Sequence, residues 1–184
     1  MSIIALASAK GAPGVTTATL AMAGVWSGRV AVAECDPFGG TIAARFGLPP
    51  SPGLLSLASQ SRHQLRAESL WSHLQQLPPG GVPVLLGVQT FEQAMALGRV
   101  WTLLPQVLAG LGVDVLVDCG RLLPDAPANA VLQAGTWFSS SPAPLSRRSR
   151  TWSSGSPPSR RPGARLESCS SARRPTTAEP WRNG

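Results

Sequence analysis

Short apolar runs alternate with helix-like segments along the first 135 residues. Four of these runs are short and apolar enough to suit buried strands, and the segments that follow them suit helices. The predicted strands cover 3–7, 29–34, 82–88 and 112–120, and the predicted helices cover 17–23, a short stretch after 41, 91 to about 104, and 129–135. This order of elements predicts an α/β fold with a mainly parallel sheet.

Two prolines and one apolar stripe refine the second half of this pattern. Pro83 predicts an early position in its strand or a place at the sheet edge, because proline cannot donate to a central ladder. Pro105 predicts that the helix over 91–104 kinks or ends there. The stripe on this helix is expected to face the core and consists of Ala94, Leu97 and Trp101.

The region between residues 41 and 80 carries weaker patterns. After a proline-rich break at 49–53, two segments, 54–58 and 65–77, are only weakly amphipathic. We expect both to form solvated helices and connecting loops, without a role in chemistry.

The only lysine of the chain, Lys10, lies in a turn between the first strand and the first helix. Gly11 and Gly14 permit backbone angles that let successive N–H groups converge on an anion at the positive end of the helix. Thr16 offers a hydroxyl suited to Mg²⁺. The turn is therefore a candidate phosphate loop, and the alternative is an ordinary glycine-proline connection in another α/β protein.

Acidic residues follow two of the predicted strands. Glu34 and Asp36 come at the end of the second strand and Asp118 at the end of the fourth. Ligands of open parallel sheets bind outside the carboxyl ends of the strands, so we expect these acids near the loop. The structural alternative is a pair of simple turns after buried strands.

The loop departs from the general Walker A pattern G-x-x-x-x-G-K-[ST], because Ala9 replaces its first glycine and Val15 its lysine. It resembles instead the deviant Walker A motif of the ParA/MinD partitioning ATPases, K-G-G-x-G-K-[ST]-T. The matching residues are Lys10, Gly11, Gly14, Thr16 and Thr17, and the departures are Ala12 and Val15.

This resemblance implies a three-layer P-loop NTPase-like fold that binds ATP and Mg²⁺. In that family the early lysine reaches the phosphates bound by the partner of an ATP-sandwiched homodimer, which implies a catalytic role for Lys10. The later lysine holds the β- and γ-phosphates, and its place is taken by Val15. We therefore expect weak ATP binding and slow or absent hydrolysis.

The acids also resemble the family pattern. Asp36 matches the second aspartate of D-x-D-P-x-G-G/N, which implies that it orients the attacking water, while Glu34 replaces the first. Asp118 resembles the Walker B aspartate, which implies that it holds Mg²⁺ together with Thr16. The implied nucleotide-binding set is Lys10, Gly11, Ala12, Gly14, Val15, Thr16 and Thr17.

The function implied is a nucleotide-dependent switch that positions a chromosome, plasmid or other cellular cargo, with DNA or a cargo-adaptor protein as partner. One alternative is a non-catalytic interaction module. The cysteines form no C-x-x-C pair, and no uncharged apolar run reaches the roughly 18 residues of a membrane-spanning helix, so we expect a cytoplasmic protein without a membrane span.

Composition changes sharply after residue 138. Residues 1–138 have no net charge, whereas 139–184 carry nine arginines against Glu167 and Glu179, together with twelve serines and seven prolines. We expect a P-loop ATPase-like domain over 1–138 and a disordered tail over 139–184. The alternative for the tail is binding of nucleic acid or acidic lipid through its arginines.

A further hypothesis for the tail is translation out of frame. GC-rich codons for 136–141, such as ACC TGG TTC TCG TCG TCG, read two bases later encode Leu-Val-Leu-Val-Val, a strand-like run. The domain would then be truncated after about residue 135, leaving its sheet incomplete on the C-terminal side with an exposed edge. The nucleotide sequence of the gene tests this hypothesis.

Overall fold

The computed structural model describes residues 1–60, 66–78, 81–139 and 149–151, all within the compact unit Met1–Ser154. For 137–139 and 149–151 the backbone alone is described. The strands are β1 (Ile3–Ser8), β2 (Val30–Glu34), β3 (Leu74–Leu77), β4 (Val82–Leu85), β5 (Asp114–Arg121), β6 (Thr136–Ser139) and β7 (Ser149–Thr151). The helices are α1 (Val15–Gly24), α2 (Ile42–Phe46), α3 (Leu54–Gln60), α4 (Ala67–Leu70), α5 (Phe91–Ala96), α6 (Val100–Ala109) and α7 (Asn129–Ala134), with a 3₁₀ turn at Trp71–His73.

These strands form one sheet in the order β3-β4-β2-β5-β1-β6-β7. The β3–β4 pair is antiparallel, and the other described pairs are parallel. In the centre of the sheet, Asp118 of β5 is in register with Leu6 of β1 on one side and with Glu34 of β2 on the other. The prediction of an α/β fold with a mainly parallel sheet is confirmed.

Helices cover both faces of the sheet, as a three-layer fold requires. Alternate residues of β5 point to opposite faces, so Val115 and Val117 pack with the buried residues of α3, α5, α6 and α7, while Leu116 packs on the other side. On that second face, Leu116 joins Val32 of β2, Ala23 of α1 and Ile42 of α2. The central strands are therefore buried on both faces, which explains their continuous apolar composition.

The prediction for 54–58 and 65–77 is partly wrong. Leu54 and Leu57 of α3 and Leu70 of α4 are buried in the core rather than solvated. Leu74–Leu77 is an edge strand, since its backbone pairs with β4. Residues 61–65 lie outside the described part of the chain.

The helix predicted over 91–104 is two helices, α5 and α6, and the interruption lies at Gly98 rather than at Pro105. Gly98 has φ +49°, which glycine adopts at little cost. Pro105 lies inside α6, which continues to Ala109. The predicted apolar stripe is buried, and the Trp101 Nε1–H donates to the Ala94 carbonyl oxygen at 2.8 Å, which joins the two helices.

The two remaining differences concern strand positions. Pro83 is the second residue of β4, as expected for an early position, but β4 is interior because β3 covers its outer side.

Beyond α7, the sequence pattern indicated no strand in the frame as written, whereas Thr136–Ser139 forms β6 and pairs with β1. Therefore β1 is not an exposed edge. Of the arginine-rich tail predicted over 139–184, the structure describes only Ser139 and Ser149–Thr151, and the other residues of the tail lie outside the described part, so its disorder stays a prediction.

Candidate functional site

Three parallel strands bring the candidate residues to one edge of the sheet. The carboxyl ends of β1, β5 and β2 are neighbours, because β5 pairs in parallel with both other strands. The loop 9–14 follows β1, Asp36 follows β2 by two residues, and Asp118 lies in β5. The loop and the two acids therefore occupy the edge where ligands of such sheets bind.

The loop has the expected left-handed glycines but fewer amide donors than a phosphate loop could offer. Gly11 has φ +68° and Gly14 φ +113°. The Ala12 N–H donates inward to Oγ of the buried Ser8 at 2.7 Å, and Pro13 has no N–H. Two backbone positions of the loop therefore offer no N–H to a phosphate. The sequence motif did not indicate the bond from Ala12 to Ser8.

The remaining donors lie at the start of α1. The first helical hydrogen bond runs from the Ala18 N–H to the Gly14 carbonyl oxygen at 2.8 Å, and no side chain caps the helix. The N–H groups of Val15, Thr16 and Thr17 therefore precede the first bonded turn, at the positive end of the helix dipole. This end can hold an anion, although Val15 adds no charge to it.

Asp118 is fully buried beside the start of α1. Its Oδ1 accepts a hydrogen bond from the Gly120 N–H at 3.0 Å, while Oδ2 has no hydrogen-bond partner among the described residues. Burial raises the pKa of this carboxyl, and the Thr16 hydroxyl, the Gly120 N–H and the charge of Arg45 act to lower it. A buried carboxylate oxygen without a partner is suited to a bound cation.

Asp36 lies next to Asp118, and its Oδ1 accepts the Phe38 N–H at 2.9 Å. Burial is the main factor that raises the pKa of Asp36; the charges of Asp118 and Glu34 raise it further, and the Phe38 N–H opposes them. The carboxylate packs against Gly120, where a β-carbon would collide with it. The two acids that the sequence separates by more than 80 positions therefore share one site.

Glu34 has a structural position rather than an open one. Its Oε1 accepts the N–H groups of Thr41 at 2.6 Å and Ile42 at 2.9 Å, and its Oε2 accepts the Gly87 N–H at 3.0 Å. The buried carboxylate thus caps the start of α2 and binds the chain that follows β4. The extra methylene relative to aspartate extends the carboxylate toward these three donors.

Three cations surround the loop, and the sequence motifs indicated only one. Lys10 is exposed. Arg45 Nη1 donates to Thr17 Oγ1 at 3.2 Å, and the side chain of Arg121 crosses Gly11, with its Cδ and Nε each 3.2 Å from where a β-carbon would stand. Among the described residues, none of these cations pairs with a carboxylate. The motif spacing did not predict that Arg45 or Arg121 lies at the loop, because both residues are distant from it in sequence and approach it only in the folded chain.

The described residues contain no group of three or more histidine, cysteine, aspartate or glutamate side chains suited to a metal. A metal at this edge would need further ligands besides Asp118 and Thr16. Phosphate oxygens and water are the usual additional ligands of Mg²⁺. The residues present therefore fit Mg²⁺ carried by a nucleotide better than a metal held by protein alone.

The nearby thiols are not nucleophiles. Cys35 and Cys119 are both buried, and burial together with the neighbouring acids raises their pKa values far above the ordinary range of a thiol. They remain protonated and act as small core residues.

In the described part of the chain, no helix combines the length and hydrophobicity that crossing a membrane requires.

The chain matches no protein-family profile, and the search of curated proteins also found no match. Solved structures do match its fold. The septum site-determining protein MinD of Pyrococcus horikoshii, complexed with Mg-ADP, is 21% identical with a TM-score of 0.59, over 75% of this chain and 56% of that one. A ParA family ATPase from Chlorobium tepidum is 20% identical with a TM-score of 0.57, over 75% and 59%.

The same fold occurs in proteins with other activities. The kinase domain of the Escherichia coli tyrosine kinase ETK is 22% identical with a TM-score of 0.57, over 75% of this chain and 54% of that domain. The chain thus spans a little over half the length of these structures. Identities in this range establish the fold, and the fold of this chain is of the ParA/MinD type.

Proposed function

We propose that this protein is a ParA/MinD-like switch that binds ATP with Mg²⁺ and hydrolyses it slowly or not at all, and that this switch positions a chromosome, plasmid or other cargo. The proposal goes beyond the fold, which a tyrosine kinase domain shares. Its support is the chemistry at the carboxyl edge of β1, β2 and β5.

The observation that carries the proposal is the unpartnered Oδ2 of Asp118. This oxygen is buried beside Thr16, at the start of a helix whose first N–H groups are unbonded. An anion site and a cation-binding oxygen at one place are what a magnesium-polyphosphate complex requires. Asp118 and Thr16 would hold Mg²⁺, which would neutralise phosphate charge when bound.

Three features support weak binding and slow turnover. Val15 provides no ammonium group for the β- and γ-phosphates, Pro13 provides no N–H, and the Ala12 N–H is bonded to Ser8. Each removes one favourable contact with phosphate. Charge-assisted hydrogen bonds are about twice as strong as neutral ones, so the missing lysine has the largest effect.

Asp36 and Lys10 take the catalytic roles in this proposal. Asp36 orients the attacking water, and its position beside Asp118 suits a group that acts next to the bound metal. Lys10 is exposed at the surface of the loop, where its ammonium group can reach the phosphates of a second copy. The proposed assembly is therefore a homodimer around ATP, with DNA or an adaptor protein as further partner.

Isothermal titration of the full chain with Mg-ATP tests the proposal. We expect weak but saturable binding that disappears in EDTA and is reduced at least tenfold by Thr16→Ala, because the metal loses a ligand. The matched control is Thr102→Ala, which removes an exposed threonine hydroxyl from α6. Absence of saturable binding, or binding indifferent to EDTA and to Thr16→Ala, would contradict the proposal.

Lys10→Ala separates the switch from its non-catalytic alternative. In the proposed homodimer, loss of Lys10 should reduce ATP-dependent dimerisation and any hydrolysis, measured by light scattering and phosphate release.

The alternative is an interaction module that has kept the fold and lost hydrolysis, favoured by the same loss of phosphate contacts at Val15 and Ala12. A Thr16→Ala chain that still engages its partner would support the module.

A further inference from the structure

Two arginines lie close to the start of α1, the positive end of this helix. The helix dipole already places partial positive charge on the N–H groups of Val15, Thr16 and Thr17. Arg45 and Arg121 approach this point from two other elements, and neither pairs with a carboxylate in the described part of the chain. Cations at the positive end of a helix repel it, so a bound anion would stabilise this arrangement.

A second, independent observation points to the same ligand. Oδ2 of the fully buried Asp118 lies at this site and has no hydrogen-bond partner among the described residues. A bare anion would be repelled by this carboxylate, whereas an anion that brings its own divalent cation would satisfy both groups. The ligand chemistry indicated is a magnesium complex of a polyphosphate.

Arg45 is placed by a short helix that the core holds firmly. Glu34 caps the start of α2 through the N–H groups of Thr41 and Ile42, and the Ile42 side chain is fully buried. From the last turn of this helix, Arg45 reaches Thr17 Oγ1 on the first turn of α1. Its guanidinium therefore borders the unbonded N–H groups.

Arg121 reaches the loop from the end of β5. It is in register with Ser8, and the next N–H, that of Leu122, donates to the Ser8 carbonyl oxygen at 2.9 Å. Its side chain then crosses Gly11, with Cδ and Nε each 3.2 Å from where a β-carbon would stand. The guanidinium of Arg121 therefore lies beside the loop.

We propose that Arg45 and Arg121 together form an arginine clamp that binds the polyphosphate of a nucleotide and replaces the lysine missing at Val15. The inference rests on the proposed nucleotide function and assigns it two residues outside the loop motif. A guanidinium is always charged and can bind phosphate oxygens bidentately, so two of them can substitute for one ammonium group. The ligand class is a nucleoside di- or triphosphate with Mg²⁺.

The test measures Mg-ATP affinity of the full chain by titration calorimetry. Arg45→Gln and Arg121→Gln should each raise the Kd about tenfold or more, since each removes a charge-assisted contact. The matched control is Arg29→Gln, because Arg29 is exposed at the amino end of β2, on the opposite edge of the sheet. Its Kd should stay within about twofold of the parent.

Four further measurements distinguish the clamp from a structural role. Inorganic tripolyphosphate with Mg²⁺ should lose affinity in parallel, because the clamp contacts phosphates rather than the base. Val15→Lys should rescue both variants, so that each glutamine costs less than about threefold in the lysine background. Thermal unfolding without ligand checks that every variant is folded. Arg45→Lys and Arg121→Lys, which keep the charge, should retain intermediate affinity.

The outcomes separate the clamp from the wider proposal. If the parent binds Mg-ATP and requires Thr16, yet both glutamine variants bind within twofold of it, the clamp is wrong and the nucleotide function stands. A loss confined to one arginine, or a loss that Val15→Lys does not rescue, also overturns the clamp. If the parent binds no Mg-ATP, the clamp and the nucleotide function both fail.

Discussion

Gly120 lies directly against the carboxylate of Asp36, so closely that a β-carbon at position 120 would collide with it. The contact joins the end of β5 to the loop after β2. Because Gly120 N–H also binds Asp118, one glycine sets the spacing of both acids.

Gly120→Ala should therefore destabilise the protein and weaken Mg-ATP binding. The side chain meets Asp36, and Gly120 has φ +58°, so we expect a loss of about 2 kcal/mol or more in the free energy of unfolding. Urea denaturation measures it. Gly47→Ala is the control, since Gly47 has a similar φ of +63° and nothing within 4 Å of a β-carbon, and it should lose only about 1 kcal/mol. Equal losses would contradict a special contact at Asp36.

Asp118→Asn should stabilise the ligand-free protein at neutral pH and remove its response to Mg-ATP. The folded state raises the pKa of Asp118 above its ordinary 3.8, so the folded protein binds this proton more tightly than the unfolded chain. Its ionisation therefore reduces stability as pH rises from about 3.8 through the folded-state pKa. We expect a gain of about 1–2 kcal/mol at pH 7 that disappears near pH 3.

Thermal unfolding between pH 3 and 8, with and without Mg-ATP, checks this prediction. The control is Asp125→Asn, because Asp125 is exposed and asparagine tolerates its φ of +59°. A less stable Asp118→Asn protein at pH 7 would contradict the prediction, because the ionised carboxylate of Asp118 would then stabilise the ligand-free fold.

Buried His73 should make the stability fall in mild acid. Its Nδ1 lies 2.7 Å from Ser56 Oγ and its Nε2 lies 3.1 Å from Gln60 Oε1. Burial lowers the pKa of His73 below its ordinary 6.5, so the unfolded chain takes up this proton first. Stability is therefore complete above about pH 6.5 and declines as pH falls toward the folded-state pKa.

Urea denaturation at pH 7.5 and 5.5 measures this decline. His73→Gln should be less stable at pH 7.5, because it loses packing and hydrogen bonds, but its stability should change less between the two pH values. His63→Gln serves as the control for the other histidine of the chain. An unchanged pH dependence in His73→Gln would exclude His73 as its source.

Trp101→Phe should lower the free energy of unfolding by about 1–2 kcal/mol, because it removes the hydrogen bond that connects α6 to α5. The substitution keeps an aromatic ring in the core but removes the Nε1–H that donates to the buried Ala94 carbonyl, leaving that oxygen without this donor. Trp71→Phe is the matched control, because Trp71 is 39% exposed, and it should change stability by less than about 0.5 kcal/mol. Chemical denaturation compares the two, and equal effects would contradict a role for the hydrogen bond.

Where local patterns and chain order dictate structure, the sequence was sufficient. The apolar run 3–7, the glycine-rich turn and the following helix predicted β1, the loop and α1, because each depends on neighbouring residues. The acids at 36 and 118 were predicted to meet the loop, since the carboxyl ends of parallel strands share an edge. The fold and the neighbourhood of the site therefore follow from local sequence and one topological rule.

Contacts between distant residues decided the rest. Leu-Gln-Gln-Leu at Leu74–Leu77 has no strong strand signal and became a strand by pairing with β4. The helix break at Gly98 rather than at Pro105 is instead a local feature, because Gly98 has φ +49°, and Trp101 bonds back to Ala94 across it.

At the site, the sequence by itself determined that a loop with one lysine and two strand-end acids would lie together. Only the tertiary structure turned Glu34 inward onto three backbone donors and brought Arg45 and Arg121 to the loop. The physical reason is distance along the chain. A motif contains residues that are close in sequence, whereas a cation on another helix or strand comes to the loop only when the sheet and its packing have formed.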